Sequence, residues 1–295
     1  MTLLADLAAL RRRHGLRDGL QRRFTLWKNR FLDPSTASSL EREIRALGVG
    51  PGDLVLVHSA FSKLGYVRGG PQTFIEALTR AIGAEGTIMM PSFPFNGSAW
   101  DYASRGLTFD VTRTPAVVGQ LQEHFRRQAG TLRSLHPTHP FCAKGPLASE
   151  LLEGHHRTLN PFGMVSPLGR FVTRRGKCLL VGVGLKNCSP LRVIEEKETY
   201  PHPVFQPDTV RLRVIDDAGR EFEVETLVHS KALSPLRRTD NLRPYLESEG
   251  RLRQGRVGLA DTLLLDCRDL DRVLRDLLAR GITPYSHLGP RAAEP

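Results

Sequence analysis

Asp53-Leu-Val-Leu-Val-His-Ser59, Pro71-Gln-Thr-Phe-Ile-Glu-Ala-Leu78 and Gly86-Thr-Ile-Met-Met-Pro91 are the stretches on which the fold turns. The first and third are short, nearly unbroken apolar runs, the pattern of strands covered on both faces. Proline in the first turn opens a helix between them, so together they read as a β-loop-α-β unit. The apolar run returns in Lys177-Cys-Leu-Leu-Val-Gly-Val-Gly184. Further helices are expected from Ser38 or Ser39 to Gly48, and over 114–127, 148–156 and 166–175. From about residue 204 the pattern alternates. Val210-Arg-Leu-Arg-Val-Ile215 and Phe222-Glu-Val-Glu-Thr-Leu-Val228 flank the turn residues Asp216-Asp-Ala-Gly219, which predicts a β-hairpin. A strand at 257–266 and a helix at 269–280 follow, and the whole reads as an α/β protein.

The composition agrees with a globular chain: 295 residues, 40% hydrophobic and 25% charged. No run of 18 apolar residues exists, and Arg11, Arg12 and Arg13 interrupt the leucines near the start, so neither a membrane span nor secretion is expected. Four scattered cysteines without a CxxC pair suggest reduced thiols, a cytoplasmic location, no disulfide and no structural zinc. Net charge is +11, of which +6 lies in residues 1–30. Leu3, Leu4, Leu7, Leu10, Leu16, Leu20, Phe24, Trp27 and Phe31 recur at helical spacing there. Residues 1–35 therefore read as a basic amphipathic extension, a lid or a surface-docking element, ahead of one domain at 36–295. Nucleic acid is not an expected partner, because the basic residues are not interleaved with aromatics.

Three segments carry candidate chemistry. In His58-Ser-Ala-Phe-Ser-Lys-Leu-Gly-Tyr-Val-Arg-Gly-Gly-Pro-Gln-Thr73, hydroxyls at a strand end are followed by Gly69-Gly70 at a helix start, where backbone N–H groups can meet a phosphate. In Arg133-Ser-Leu-His136-Pro-Thr-His139-Pro, prolines after both histidines force an extended loop. An imidazole there suits a base working near neutral pH, whereas the spacing lacks the helical face of an HExxH zinc site. In Asn187-Cys-Ser-Pro-Leu-Arg-Val-Ile-Glu195-Glu196, carboxylates follow an apolar strand, placed to orient an imidazole or to receive an amine.

Taken in order, these segments resemble the aminoglycoside 3-N-acetyltransferase family. The resemblance runs from His58-Ser-Ala-Phe-Ser-Lys-Leu-Gly65 and Gly69-Gly-Pro-Gln-Thr through Gly86-Thr-Ile-Met-Met-Pro-Ser-Phe93, Phe109-Asp-Val-Thr-Arg-Thr-Pro115 and Arg133-Ser-Leu-His-Pro-Thr-His139. It continues through Pro161-Phe-Gly and Ser166-Pro-Leu-Gly169 to Val181-Gly-Val-Gly-Leu-Lys-Asn187, and covers roughly residues 38–282. It implies an α/β/α sandwich with the antiparallel hairpin in the C-terminal third, acyl transfer from acetyl-coenzyme A to a primary amine, and no metal. It further implies His139, or else His136, as the base, with Glu195 orienting it. His58, Ser59, Ser62, Gly69, Gly70, Thr73 and Ser92 would contact coenzyme A, and Asn187, Arg192 and Glu196 the acceptor. A homodimer is among the expected partners.

Two positions depart from the family pattern. A histidine commonly precedes the glutamate by three residues, where this chain has Arg192 and Glu195, and the serine usual after the second histidine is Pro140. Both fall where the acceptor belongs. Aminoglycosides are polycations, and a body of positive charge slows their approach while favouring anions. The expected reaction is therefore N-acylation of an amino sugar or other biosynthetic amine. The alternatives are aminoglycoside 3-N-acetylation conferring antibiotic resistance, and an inactive member serving as a binding or scaffold protein.

Overall fold

In the computed structural model, which describes residues 33–196 and 199–288 together with Thr25, Asn29 and Arg30, side chains of the central strands alternate between two cores. Leu54 and Leu56 of β1 (Leu54–Ser59), Met89 of β2 (Thr87–Pro91) and Cys178 and Leu180 of β6 (Lys177–Val181) enter one core. Val55, Val57, Ile88, Met90, Leu179 and Val181 enter the other. Successive side chains on a strand point to opposite faces, so a strand buried on both sides must be apolar throughout.

One face is covered by α1 (Ala37–Leu47), α2 (Pro71–Ile82) and α4 (Gln120–Arg126), through residues such as Ile44, Phe74 and Phe125. The other is covered by α5 (Ala148–Leu152), α6 (Pro167–Thr173), α7 (Arg243–Ser248) and α8 (Leu270–Ala279), through Leu151, Phe171, Leu246 and Leu274. The short helix α3 (Ala99–Ala103) packs apart, against Leu212 and Val228. This is the expected α/β/α sandwich. Leu56 is fully buried at its centre. Leu56→Ala is expected to cost about 2–5 kcal/mol in denaturant unfolding, the range for a buried leucine that leaves a cavity.

The seven-stranded sheet runs β4 (Leu132–Arg133), β5 (Phe141–Lys144), β2, β1, β6, β10 (Ala260–Asp266), β9 (Leu252–Val257). Its centre, β2-β1-β6, is parallel, and both flanks are antiparallel. The carboxyl ends of the three parallel strands therefore meet on one edge. The chain leaves β1 toward β2 on one side, while β6 lies on the other; such a divergence opens a crevice outside the strand ends.

A second sheet, β3 (Phe109–Asp110), β7 (Val210–Ile215) and β8 (Glu221–Thr226), contains the predicted hairpin. Leu212, Val214 and Val224 face inward, while Arg211 pairs with Glu225 and Arg213 with Glu221 on the outer face, which keeps that face in water.

Several boundaries differ from expectation. The helix expected over 114–127 starts only at Gln120, because Pro115 and a hydrogen bond from the Ala116 N–H to Glu123 Oε2 hold the preceding residues as a loop. The helix expected over 148–156 stops at Leu152, ahead of Gly154 in the left-handed conformation. The strand expected over 257–266 divides between β9 and β10, which reverse direction at Gly258, φ +56°. The helices expected over residues 3–31 lie outside the described residues apart from Thr25, Asn29 and Arg30. Among the described residues, no helix is long and apolar enough to cross a membrane.

Candidate active site

A cavity of about 620 Å³ opens at the edge where the parallel strands end. His58 and Ser59 reach it from the last residues of β1, Pro91 and Phe93 from the end of β2, and Val183, Lys186 and Asn187 from the turn after β6. His139 comes from the loop joining β4 to β5. Because Phe141 of β5 pairs with Pro91, that loop is held at the carboxyl end of β2. Val183 also borders a neighbouring cavity of about 970 Å³, lined by Ser62, Lys63, Arg243 and Arg256 among others.

The two histidines of the loop do different work. His136 is fully buried, and its Nδ1 accepts the backbone N–H of His139 at 3.1 Å and of Thr138 at 3.3 Å, while its ring stacks near His155. It shapes the loop and does not line the cavity. His139 does line it, walled by the rings of Phe93, Phe95 and Phe162, with Nδ1 2.9 Å from the Thr138 hydroxyl.

Glu195 reaches neither of them. Its Oε2 lies 3.1 Å from Nε2 of His229, a residue that no motif singles out. His229 lies past β8, joined by an isolated bridge to Phe205, and it lines the cavity with its ring centroid 6.1 Å from that of His139. The expected pairing of Glu195 with a loop histidine is thus replaced by a pairing with His229. Glu195 also accepts hydrogen bonds from Arg192 Nη1 at 3.0 Å and Arg237 Nε at 3.2 Å, and it is buried.

The electrostatics follow from that packing. Burial alone would raise the Glu195 carboxyl, but Arg192, Arg237 and His229 together outweigh it and hold the group ionised well below the usual carboxylate range. His229 is lowered to about 4, by burial first and Arg192 next, against the opposing pull of Glu195. With an ionised carboxylate on Nε2, the proton of the neutral ring sits on that nitrogen, which leaves Nδ1 with its lone pair. His58 is likewise lowered to about 4 by burial, and burial also takes His139 well below its ordinary value.

These histidines make stability depend on pH. His58, His136, His139, His155 and His229 are all buried and lowered from 6.5, so they are neutral in the folded chain where the unfolded chain binds protons. Stability is full above pH 6.5 and is lost as the pH falls toward the folded values, by about 1.4 kcal/mol per unit for each histidine. Thermal midpoints are expected to fall steeply between pH 7 and 5. An unchanged midpoint over that interval would contradict the burial described.

The other expected site residues are spread more widely. Asn187 and Arg192 line the cavity, whereas Glu196 lies behind it, accepting from Asn160 Nδ2 at 3.3 Å. Ser62 faces the neighbouring cavity. Gly69 and Gly70 precede α2 with positive φ, and Thr73 turns its hydroxyl back to the Arg68 carbonyl at 2.6 Å; none of the three lines the central cavity. Ser92 is fully buried and does not line it either. Among the described residues, no group of histidine, cysteine and carboxylate side chains is arranged to hold a metal.

Comparison with known proteins fits this arrangement of strands and loops. The family model described as aminoglycoside 3-N-acetyltransferase matches residues 56–279. Aminoglycoside N(3)-acetyltransferase IX of Micromonospora chalcea is 31% identical over 79% of this chain and 89% of its own length. A crystal structure of an aminoglycoside acetyltransferase in complex with gentamicin superposes with a TM-score of 0.70 at 27% identity, covering 83% of this chain and 89% of the other. AAC-IIIb, solved as a binary complex with CoASH, shares the fold with a TM-score of 0.68 at 23% identity, over 84% of this chain and 98% of its own. The chain belongs to the aminoglycoside 3-N-acetyltransferase family. It is an N-acetyltransferase, the enzyme class that the resemblance of its motifs implies.

Proposed function

We propose that the cavity acylates a primary amine, with His229 as the base and Glu195 as the residue that positions it. The observation that carries this is the 3.1 Å contact between Glu195 Oε2 and His229 Nε2 beneath the cavity. A carboxylate on one ring nitrogen fixes the tautomer and supports the imidazolium that forms when the other nitrogen takes a proton. As the amine nitrogen attacks the thioester carbonyl, the N–C bond forms and His229 removes the nitrogen's proton. As the C–S bond breaks, that proton passes to the leaving sulfur, giving an amide and free coenzyme A. Ser59 accepts from Gln122 Nε2 at 3.4 Å, so its own O–H remains to donate to the carbonyl oxygen as charge develops there.

We place the donor across the two neighbouring cavities, whose linings share Val183. Its phosphates suit the larger one, where Lys63, Arg243 and Arg256 stand with Ser62, and the thioester extends past Val183 to the histidines. The names of the relatives favour the reading as an aminoglycoside resistance enzyme, while the charge of this cavity favours a different acceptor. The test is release of free thiol from acetyl-coenzyme A on adding primary amines. Amine-dependent release supports the reading. A chain that does not bind coenzyme A would overturn it in favour of a scaffold role.

A further inference from the structure

We propose that the acceptor amine also carries an oxyanion (phosphate, phosphonate or carboxylate) that binds between Arg192 and Lys186. This rests on the acyl-transfer reading and adds the charge of its second substrate.

The cavity is lined by Lys186, Arg192 and Lys231, and among the described residues no aspartate or glutamate lines it. The carboxylates nearby are already engaged. Asp101 answers Lys231 at 2.8 Å, and Glu196 is held by Asn160. Glu195 is shared between Arg192 and the buried Arg237, so two guanidinium groups face one carboxylate there. Lys186 has no ion pair with any described residue. Arg192 and Arg237 therefore share a single carboxylate and Lys186 adds a further positive charge at the lining, while Glu196 keeps its negative charge but does not line the cavity. Among the described residues, a polycation entering would meet these charges with no carboxylate in the lining to receive it.

Geometry favours Arg192 as the anion's seat. Only its Nη1 is engaged by Glu195, and its guanidinium also lies 5.7 Å from the centre of the Phe162 ring. The group is fixed in direction, and among the described residues its Nε and Nη2 have no acceptor, an arrangement suited to an oxyanion. Lys186 stands on the turn after β6, six residues earlier, and supplies a mobile second charge. An acceptor with its anion here places its amine toward His229, because Glu195 binds both Arg192 and His229 through the same oxygen, Oε2.

The phosphates of coenzyme A offer the same chemistry, so the experiment separates the two sources. Calorimetry of the full chain saturated with coenzyme A compares glucosamine 6-phosphate, glucosamine and kanamycin. Glucosamine 6-phosphate is expected to bind about tenfold tighter than glucosamine and tighter than kanamycin, as for a charge-assisted contact worth a little over 1 kcal/mol. Most of that advantage is expected to vanish in both Lys186→Ala and Arg192→Gln, with affinity for coenzyme A unchanged. Equal affinities for the two sugars, preference for kanamycin, or an advantage that survives both substitutions overturns the proposal. So does loss of coenzyme A affinity in the variants, which would give the charges to the donor. Failure of the acyl-transfer reading would show separately, as no coenzyme A binding or no thiol release with any amine.

Discussion

His229→Ala is expected to lower the turnover of acetyl-coenzyme A with an amine acceptor by about 10²–10⁴-fold, the usual contribution of a general base. The KM for acetyl-coenzyme A should hardly move, because the ring acts on the amine and not on the nucleotide. His139→Ala is expected to cost far less, about tenfold, since among the described residues its Nδ1 meets only the Thr138 hydroxyl and no carboxylate supports its protonated form. Steady-state kinetics on the two variants decide between them. Near-normal turnover in His229→Ala beside an inactive His139→Ala would return the base to the loop. Glu195→Gln should keep the geometry and still slow the reaction, since an amide cannot stabilise the imidazolium as a carboxylate does.

Arg237→Ala should unfold more readily than the parent by about 3–5 kcal/mol, measured by denaturant titration. The guanidinium is buried, with Nε 3.2 Å from Glu195 Oε1 and Nη2 3.3 Å from the Leu191 carbonyl. Removing it leaves Oε1 of the buried Glu195 without its donor while Arg192 and His229 still hold Oε2, and a buried acceptor left unmet costs more than the bond itself contributes. The double variant Arg237→Ala/Glu195→Gln should accordingly be more stable than Arg237→Ala alone, by about 1 kcal/mol or more. A double variant less stable than the single would show that Arg237 matters through packing and not through charge.

The central strands were legible because double-sided burial writes itself as apolar runs, as in Leu54–Val57 and Cys178–Val181. The flanking strands were not. β9 reads Leu-Arg-Gln-Gly-Arg-Val, and β5 follows a proline, so neither shows the pattern of a sheet interior. Site residues at strand ends, His58, Ser59 and Asn187, could be found from the strand pattern. His229 could not, because it follows a hairpin whose alternation says only which face is buried, and nothing local ties it to Glu195, 34 positions earlier. The substitution at Arg192 marked the place without showing what had changed. In space, a histidine from another segment meets the glutamate beside that arginine.

The four cysteines, Cys142, Cys178, Cys188 and Cys267, are free and buried, and burial pushes the Cys142 thiol up to about 11. A reagent that colours on reaction with thiolates should therefore ignore the folded enzyme and count only the coenzyme A it releases. The same reagent becomes a reporter of opening: when the chain unfolds, four equivalents appear together, and partial labelling would mark a state in which only some of the sheet has come apart.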